Sequence, residues 1–117
     1  MEPSLIDFLQ HIQAEINFII KHAKGISFDE LLDNELLNKA LVRSFEIVGE
    51  ASKKVPDEIR FKHPEFQWRG FAGIRDKLIH HYWGVDYAIL WDAIVNEIPM
   101  AKEWIDVIIE EEKNKII

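Results

Sequence analysis

Apolar residues recur three or four positions apart from the start of the chain: Leu5, Phe8, Leu9, Ile12, Ile16, Ile19 and Ile20 fall on one face of a helix with 3.6 residues per turn. Ser4 followed by Asp7 has the form of a capping box, and Gly25 is a natural stop. Ser27 with Glu30 repeats the start signal, and a second, longer helix is predicted to run to about Val55. That helix carries two apolar stripes. Leu37, Leu41, Ser44, Val48, Ala51 and Val55 make one, and Leu36, Ala40 and Ile47 make its neighbour. Two stripes imply that the helix touches more than one partner, with another subunit among the candidates.

Pro56 ends this helix and can open a short one through about Lys62, after which His63-Pro64-Glu65-Phe66 reads as a turn. A third helix is predicted from about Trp68 to His81. Gly70 and Gly73 sit inside it at a cost of roughly 1 kcal/mol each relative to alanine, so close backbone approach to a neighbouring helix is the expected reason for them. Gly84 closes the segment and Asp86 caps a fourth helix carrying Ile89, Leu90, Ala93 and Ile94. Pro99 either kinks that helix or starts a fifth, whose inner face is Ile98, Ala101, Ile105 and Ile108. Strand-like alternation, a Gly-rich phosphate loop and solenoid repeats are all missing from this pattern. The expected fold is all-α: an antiparallel up-and-down bundle of four to five helices, in a single domain spanning 1–117.

Composition narrows this further. A chain of 117 residues accommodates one compact unit, and 48% hydrophobic with 30% charged residues suits a globular protein rather than a disordered one. The absence of cysteine excludes disulfides, thiolate nucleophiles and cysteine-ligated zinc. The start of the chain lacks the basic and apolar regions of a signal peptide, and no apolar run approaches the ~20 residues needed to span a bilayer. A cytoplasmic protein without a membrane partner is expected. A net charge of −7 argues against general coating of nucleic acid, so any RNA-binding potential must be local. Much of the acidity lies in Glu110-Glu111-Glu112 and between Asp29 and Glu35.

The densest chemistry is Arg75-Asp76-Lys77-Leu78-Ile79-His80-His81-Tyr82, an Arg-x4-His-x-Tyr arrangement. It gathers a fixed cation, a group that titrates near neutrality and a phenol, a combination suited to a phosphodiester. For RNA no metal or other cofactor is strictly required, because the 2′-hydroxyl is an internal nucleophile. His80 is then the general base or acid, Arg75 holds the pentacoordinate phosphate, and Tyr82 positions or donates to a phosphate oxygen. On an ideal helix His80 stands about 140° around from Arg75, with Asp76 one turn behind His80. Either the helix unwinds toward Gly84, or two copies of the motif face each other across a dimer axis.

Blander readings stand beside this one. Arg75 and Asp76 suit a surface ion pair, and a His-His-Tyr run can cap carbonyls at a helix end. His81 is the expected bystander, and adjacent His80 and His81 point about 100° apart, which disfavours a shared metal. Phe66, Trp68, Trp83, Tyr87 and Trp91 can stack on bases, but core packing is the preferred reading. Glu46 and Glu50, spaced i and i+4, either orient Arg75 or His80 or form a solvated acidic edge.

These residues resemble the HepT-like toxins of the HEPN superfamily, the ribonuclease partners of minimal nucleotidyltransferases in prokaryotic toxin–antitoxin modules. The resemblance runs through Phe45-Glu46-Ile47-Val48-Gly49-Glu50-Ala51, His63-Pro64-Glu65 with Trp68-Arg69, Ile74 to Tyr82, Gly84-Val85-Asp86, Trp91 and Ile98-Pro99. It implies a helical homodimer that cuts RNA without a metal in a cleft shared by two motifs, with Arg75, His80 and Tyr82 as the active residues. It also implies a nucleotidyltransferase antitoxin that adds AMP to Tyr82, placing negative charge where substrate phosphate must sit. Some HEPN proteins instead serve as binding or scaffold modules. The alternative expectation is therefore a non-catalytic dimer that binds a nucleotidyltransferase or nucleotide, and a plain helical assembly module is a third.

Overall fold

The computed structural model describes residues 3–81 and 84–115, with the backbone alone for residues 80 and 81. In chain order the elements are α1 (Leu5–Ala23), α2 (Phe28–Asp33), α3 (Glu35–Lys54), α4 (Asp57–Lys62), α5 (Trp68–Ala72), α6 (Ile74–Leu78), a ribbon of β1 (Ile79–His81) with β2 (Gly84–Val85), α7 (Tyr87–Asp92), a π-helical turn (Ala93–Glu97) and α8 (Ile98–Asn114). The architecture is all-α apart from that ribbon, and among the described residues no helix is long and apolar enough to cross a membrane.

Local signals set most of the boundaries. Ser4 and Ser27 both form complete capping boxes, with Asp7 and Glu30 returning the bond to the cap N–H groups at 2.8 and 3.2 Å. Gly25 turns the chain between α1 and α2 at φ +76°, where a Cβ would be strained. Asn34 ends α2 and starts α3, its side chain accepting from the Leu37 N–H at 3.0 Å. Asp86 caps α7 through the Ile89 N–H at 3.1 Å.

The core forms where α1 packs on α3 and α8, with Leu9, Ile12, Ile16 and Ile19 of α1 fully buried against Leu41, Phe45 and Val48 of α3 and Ile98, Ile105 and Ile108 of α8. Gln13 ties α1 to α8 by a 2.8 Å bond to Asp106. On the other side of α3 lie α5 and α6, anchored by Phe66, Trp68 and Phe71, whose rings cluster at centroid distances of 4.4 and 5.3 Å. The core reading of Phe66 and Trp68 thus holds.

Two expectations need correction, and a third is resolved. The helix predicted from Trp68 to His81 is broken at Gly73 and ends at Leu78; the chain then pairs Ile79 with Val85 in an antiparallel ribbon, closed by the Asp86 N–H donating to the Leu78 carbonyl at 2.7 Å. Tertiary pairing of two β-branched residues overrides the helical periodicity there. The close backbone approach assigned to Gly70 and Gly73 occurs instead at Gly49 of α3, where an added Cβ would lie 2.5 Å from the Phe71 carbonyl oxygen; the nearest atoms at Gly70 and Gly73 are 3.6 Å away and belong to their own segment. Of the two roles open to Pro99, the structure shows the start of a further helix. Pro99 is the second residue of α8, directly after the π turn in which the Ile98 N–H reaches the Ala93 carbonyl. The wider turn relieves the clash and missing donor that proline imposes.

The far end of α8 is tied down by a buried charge. Glu112, 6% exposed, accepts from His63 Nε2 at 2.9 Å and from Lys62 and Lys115 at 3.2 and 3.3 Å. Burial alone pushes its carboxyl up, but the His63 and Lys62 bonds outweigh that and hold it below the ordinary 4.5. His63 also passes its carbonyl to Trp68 Nε1 at 2.8 Å, so this cluster fixes the start of α5.

Two outcomes test this account. Gly49→Ala should destabilise by about 1–3 kcal/mol in urea unfolding, because backbone must move, whereas Gly70→Ala should be neutral or stabilising by up to ~1 kcal/mol. A carboxylate depressed in the folded state contributes stability above its unfolded pKa and loses it as pH falls through its folded one. The melting-temperature advantage of wild type over Glu112→Gln should therefore be full above pH 4.5 and shrink below it.

Candidate active site

The edge of α3 and the helix α6 bring two of the sequence-predicted residues together. Arg75 Nε donates to Glu46 Oε2 at 3.1 Å, across 29 positions of sequence. The Gly49 contact makes this possible: it draws α3 onto α5, and Glu46 lies one turn before Gly49 on the same edge. Glu46 is mostly covered, with its side chain 21% exposed, while the Arg75 side chain remains 62% exposed. Arg75 has no other ion-pair partner among the described residues, so its two Nη groups are not engaged by a carboxylate there. A guanidinium held by one edge and open on the other is well arranged to receive an oxyanion in a forked contact.

Glu50 is not part of this pair. It turns toward Lys53 at 3.4 Å and borders a different groove, between α1 and α3. Asp76 is exposed on α6. His80 lies in β1 rather than on a helix, so the 140° separation expected from ideal helical geometry does not apply, as the unwinding alternative anticipated. Its side chain, that of His81, and all of Tyr82 and Trp83 lie outside the described residues. Two aromatics near the motif are partly buried and engaged: Tyr87 donates to Asn38 at 3.4 Å, and Trp91 packs on Phe28 at 5.9 Å between ring centroids.

A groove of about 240 Å³ between α6 and the α7–π segment is lined by Gly70, Ile74, Lys77, Ile89, Asp92 and Glu97, among others. Sequence reasoning did not single it out, since its residues come from four elements and form no local pattern. Among the described residues, no three His, Asp or Glu side chains are grouped to hold a metal ion.

The sequence profile described as "Ribonuclease HepT-like" matches residues 12–108, so the chain belongs to the HepT-like family. Among curated proteins it is 46% identical to "Putative RNase TTE0752" of Caldanaerobacter subterraneus subsp. tengcongensis, over 91% of this chain and 95% of that one. It is 40% identical to "Probable ribonuclease HepT" of Thermococcus cleftensis, over 87% of this chain and 93% of that protein. It also aligns at 39% identity with 49% of a longer Methanocaldococcus jannaschii protein named "Gamma-glutamylcyclotransferase and putative RNase MJ0434". No solved structure matches the chain.

An exposed ion pair contributes little to stability. A double-mutant cycle on Glu46→Gln and Arg75→Gln should return a coupling of at most ~1 kcal/mol in chemical unfolding, showing that the pair serves orientation and not the fold.

Proposed function

We propose that this protein is a metal-independent endoribonuclease, the toxin of a module whose antitoxin is a minimal nucleotidyltransferase. The observation that carries the reading is the Arg75–Glu46 pair at 3.1 Å, which holds a largely exposed arginine side chain in the same sequence motif as His80 and Tyr82, in a chain similar to proteins named as RNases.

In this reading a substrate phosphate sits on the free face of Arg75. The RNA 2′-hydroxyl attacks its own phosphorus: the O2′–P bond forms, the P–O5′ bond breaks, and the 2′-hydroxyl proton ends on the departing O5′. His80 moves that proton as base or acid, and Tyr82 donates to a non-bridging oxygen. Arg75 stabilises the extra charge of the pentacoordinate state, while Glu46 fixes the direction of the guanidinium at some loss of positive potential. The product is a 2′,3′-cyclic phosphate, and DNA, which lacks the nucleophile, is not cut. A homodimer gathers two motifs in one cleft, so that each copy supplies what the other lacks. AMP added to Tyr82 by the nucleotidyltransferase brings a phosphate into competition with substrate for Arg75 and turns the enzyme off. The setting is the cytoplasm.

Partner-free protein, verified as unmodified at Tyr82 by mass spectrometry, should cleave mixed RNA in EDTA and leave 2′,3′-cyclic ends. Activity should be lost in His80→Ala and fall by roughly 10²–10³ in Arg75→Ala, the range for removing one charge-stabilising donor. Equal cleavage by wild type and His80→Ala, or none from unmodified protein, would sink the ribonuclease reading and favour a nucleotidyltransferase-binding module.

A further inference from the structure

An aromatic ring stands in solvent at the corner where α4 leads into α5. The buried residue of α4 is Ile59, and a side chain two positions further along a helix points about 200° away, so Phe61 faces outward and is 82% exposed. It lines a groove of about 520 Å³ together with Arg60, Gln67, Trp68 and Arg69. Arg60 bonds to Asp57 through Nη2, but its Nε is buried without an acceptor. Arg69 is exposed and makes no ion pair among the described residues. The charged residues of the lining are Arg60, Arg69 and Asp57, so the groove is locally positive in a chain of net charge −7.

We infer that this groove is a subsite for single-stranded RNA, in which an unstacked base lies on the Phe61 ring and the adjoining phosphate is held by Arg69. The inference rests on the ribonuclease reading for the identity of the strand. The chemistry of the lining selects the occupant. An open aromatic face stacks on any base, and a free guanidinium takes phosphate oxygens in a forked contact, which together are the platform and the charge that single-strand binding uses. An apolar side chain seated here would cover Arg69 and leave the Arg60 Nε unsatisfied, at a cost in desolvation. A nucleotide instead brings acceptors on its base, ribose and phosphate to both arginines. Arg69 precedes Arg75 by six residues, so their Cα atoms are no more than about 22 Å apart. That is roughly six nucleotides at the ~3.4 Å rise of a stacked strand, so one short strand can engage both arginines.

Fluorescence anisotropy with a labelled 2′-O-methyl oligonucleotide of about twelve residues, within the span of known single-strand sites, reads binding by the full chain apart from cleavage, because the probe lacks the nucleophilic hydroxyl. Wild type should bind it, and more weakly as salt rises. Phe61→Ala should lower affinity by roughly tenfold, the loss of one stacked base, while Phe61→Trp should keep it. The circular dichroism melt of Phe61→Ala should match wild type, since the ring is 82% exposed. Arg69→Gln should weaken binding and reduce the salt slope by about 0.7, the signature of one phosphate contact on a single strand. A wild type that does not bind the probe, or either substitution binding it like wild type, would overturn the subsite. So would a Phe61→Ala variant that changes the sedimentation of the protein but not its affinity for the probe, which would assign the groove to another copy of the chain. If both substitutions weaken binding but unmodified wild type cuts no RNA, the subsite stands and the ribonuclease reading falls. Cleavage by wild type, with probe binding untouched by either substitution, means the reverse.

Discussion

The contact on which the site depends is the meeting of two backbones. At Gly49, α3 comes so near the Phe71 carbonyl that a single methyl group would occupy its space. Because α-helical residues three positions apart lie on nearly the same edge, this contact brings Glu46 within hydrogen-bonding distance of Arg75 on the following turn of the facing segment. The aromatic cluster of Phe66, Trp68 and Phe71 then holds α5 in place, and the His63 carbonyl on Trp68 connects that cluster to Glu112 near the end of α8. The exposed arginine is therefore directed by residues drawn from α3, α5 and α6, with the α8 terminus bracing the start of α5.

Charge is distributed unevenly in a way that matters for an acidic chain. Several cations are neutralised by a carboxylate: Lys39 by Glu35, Arg60 by Asp57, Lys102 by Asp106 and Lys62 by Glu112. Arg75 is also paired, but through Nε only and on one side, so its forked end stays exposed to solvent. A net −7 protein thus keeps an exposed, anion-receptive group, the kind of local potential that its composition demands for any engagement of phosphate.

Much of the fold was legible because its signals are local. Both capping boxes, the Gly25 turn, Pro56 and the Asp86 cap each involve residues within three or four positions of one another, and each lies where the pattern puts it. The stripe of Leu41, Val48 and Val55 is buried, while Leu36 on the neighbouring stripe is exposed, and α3 meets α1 as well as α5 and α6, the several helix partners that a doubled stripe implied. The misread segment was 79–81, with a break at Gly73 before it. Its residues have tolerable helical spacing, but Ile79 finds a strand partner in Val85, and that pairing is invisible to a helical window.

For the site, residue types and spacing nominated Arg75, His80 and Tyr82 and offered Glu46 and Glu50 on equal terms. Both glutamates project from one edge of α3, only about 40° apart around it. Packing separated them, because the approach at Gly49 turns that edge so that Glu46 meets Arg75 while Glu50 faces Lys53 and the α1 groove. The sequence by itself determined the helices, their ends and the chemical groups available, since hydrogen bonding within a turn and apolar periodicity are properties of neighbours in the chain. Which carboxylate directs the arginine, which glycine admits a facing backbone and where α6 gives way to a strand were decided by tertiary structure, since each depends on atoms brought together across tens of residues.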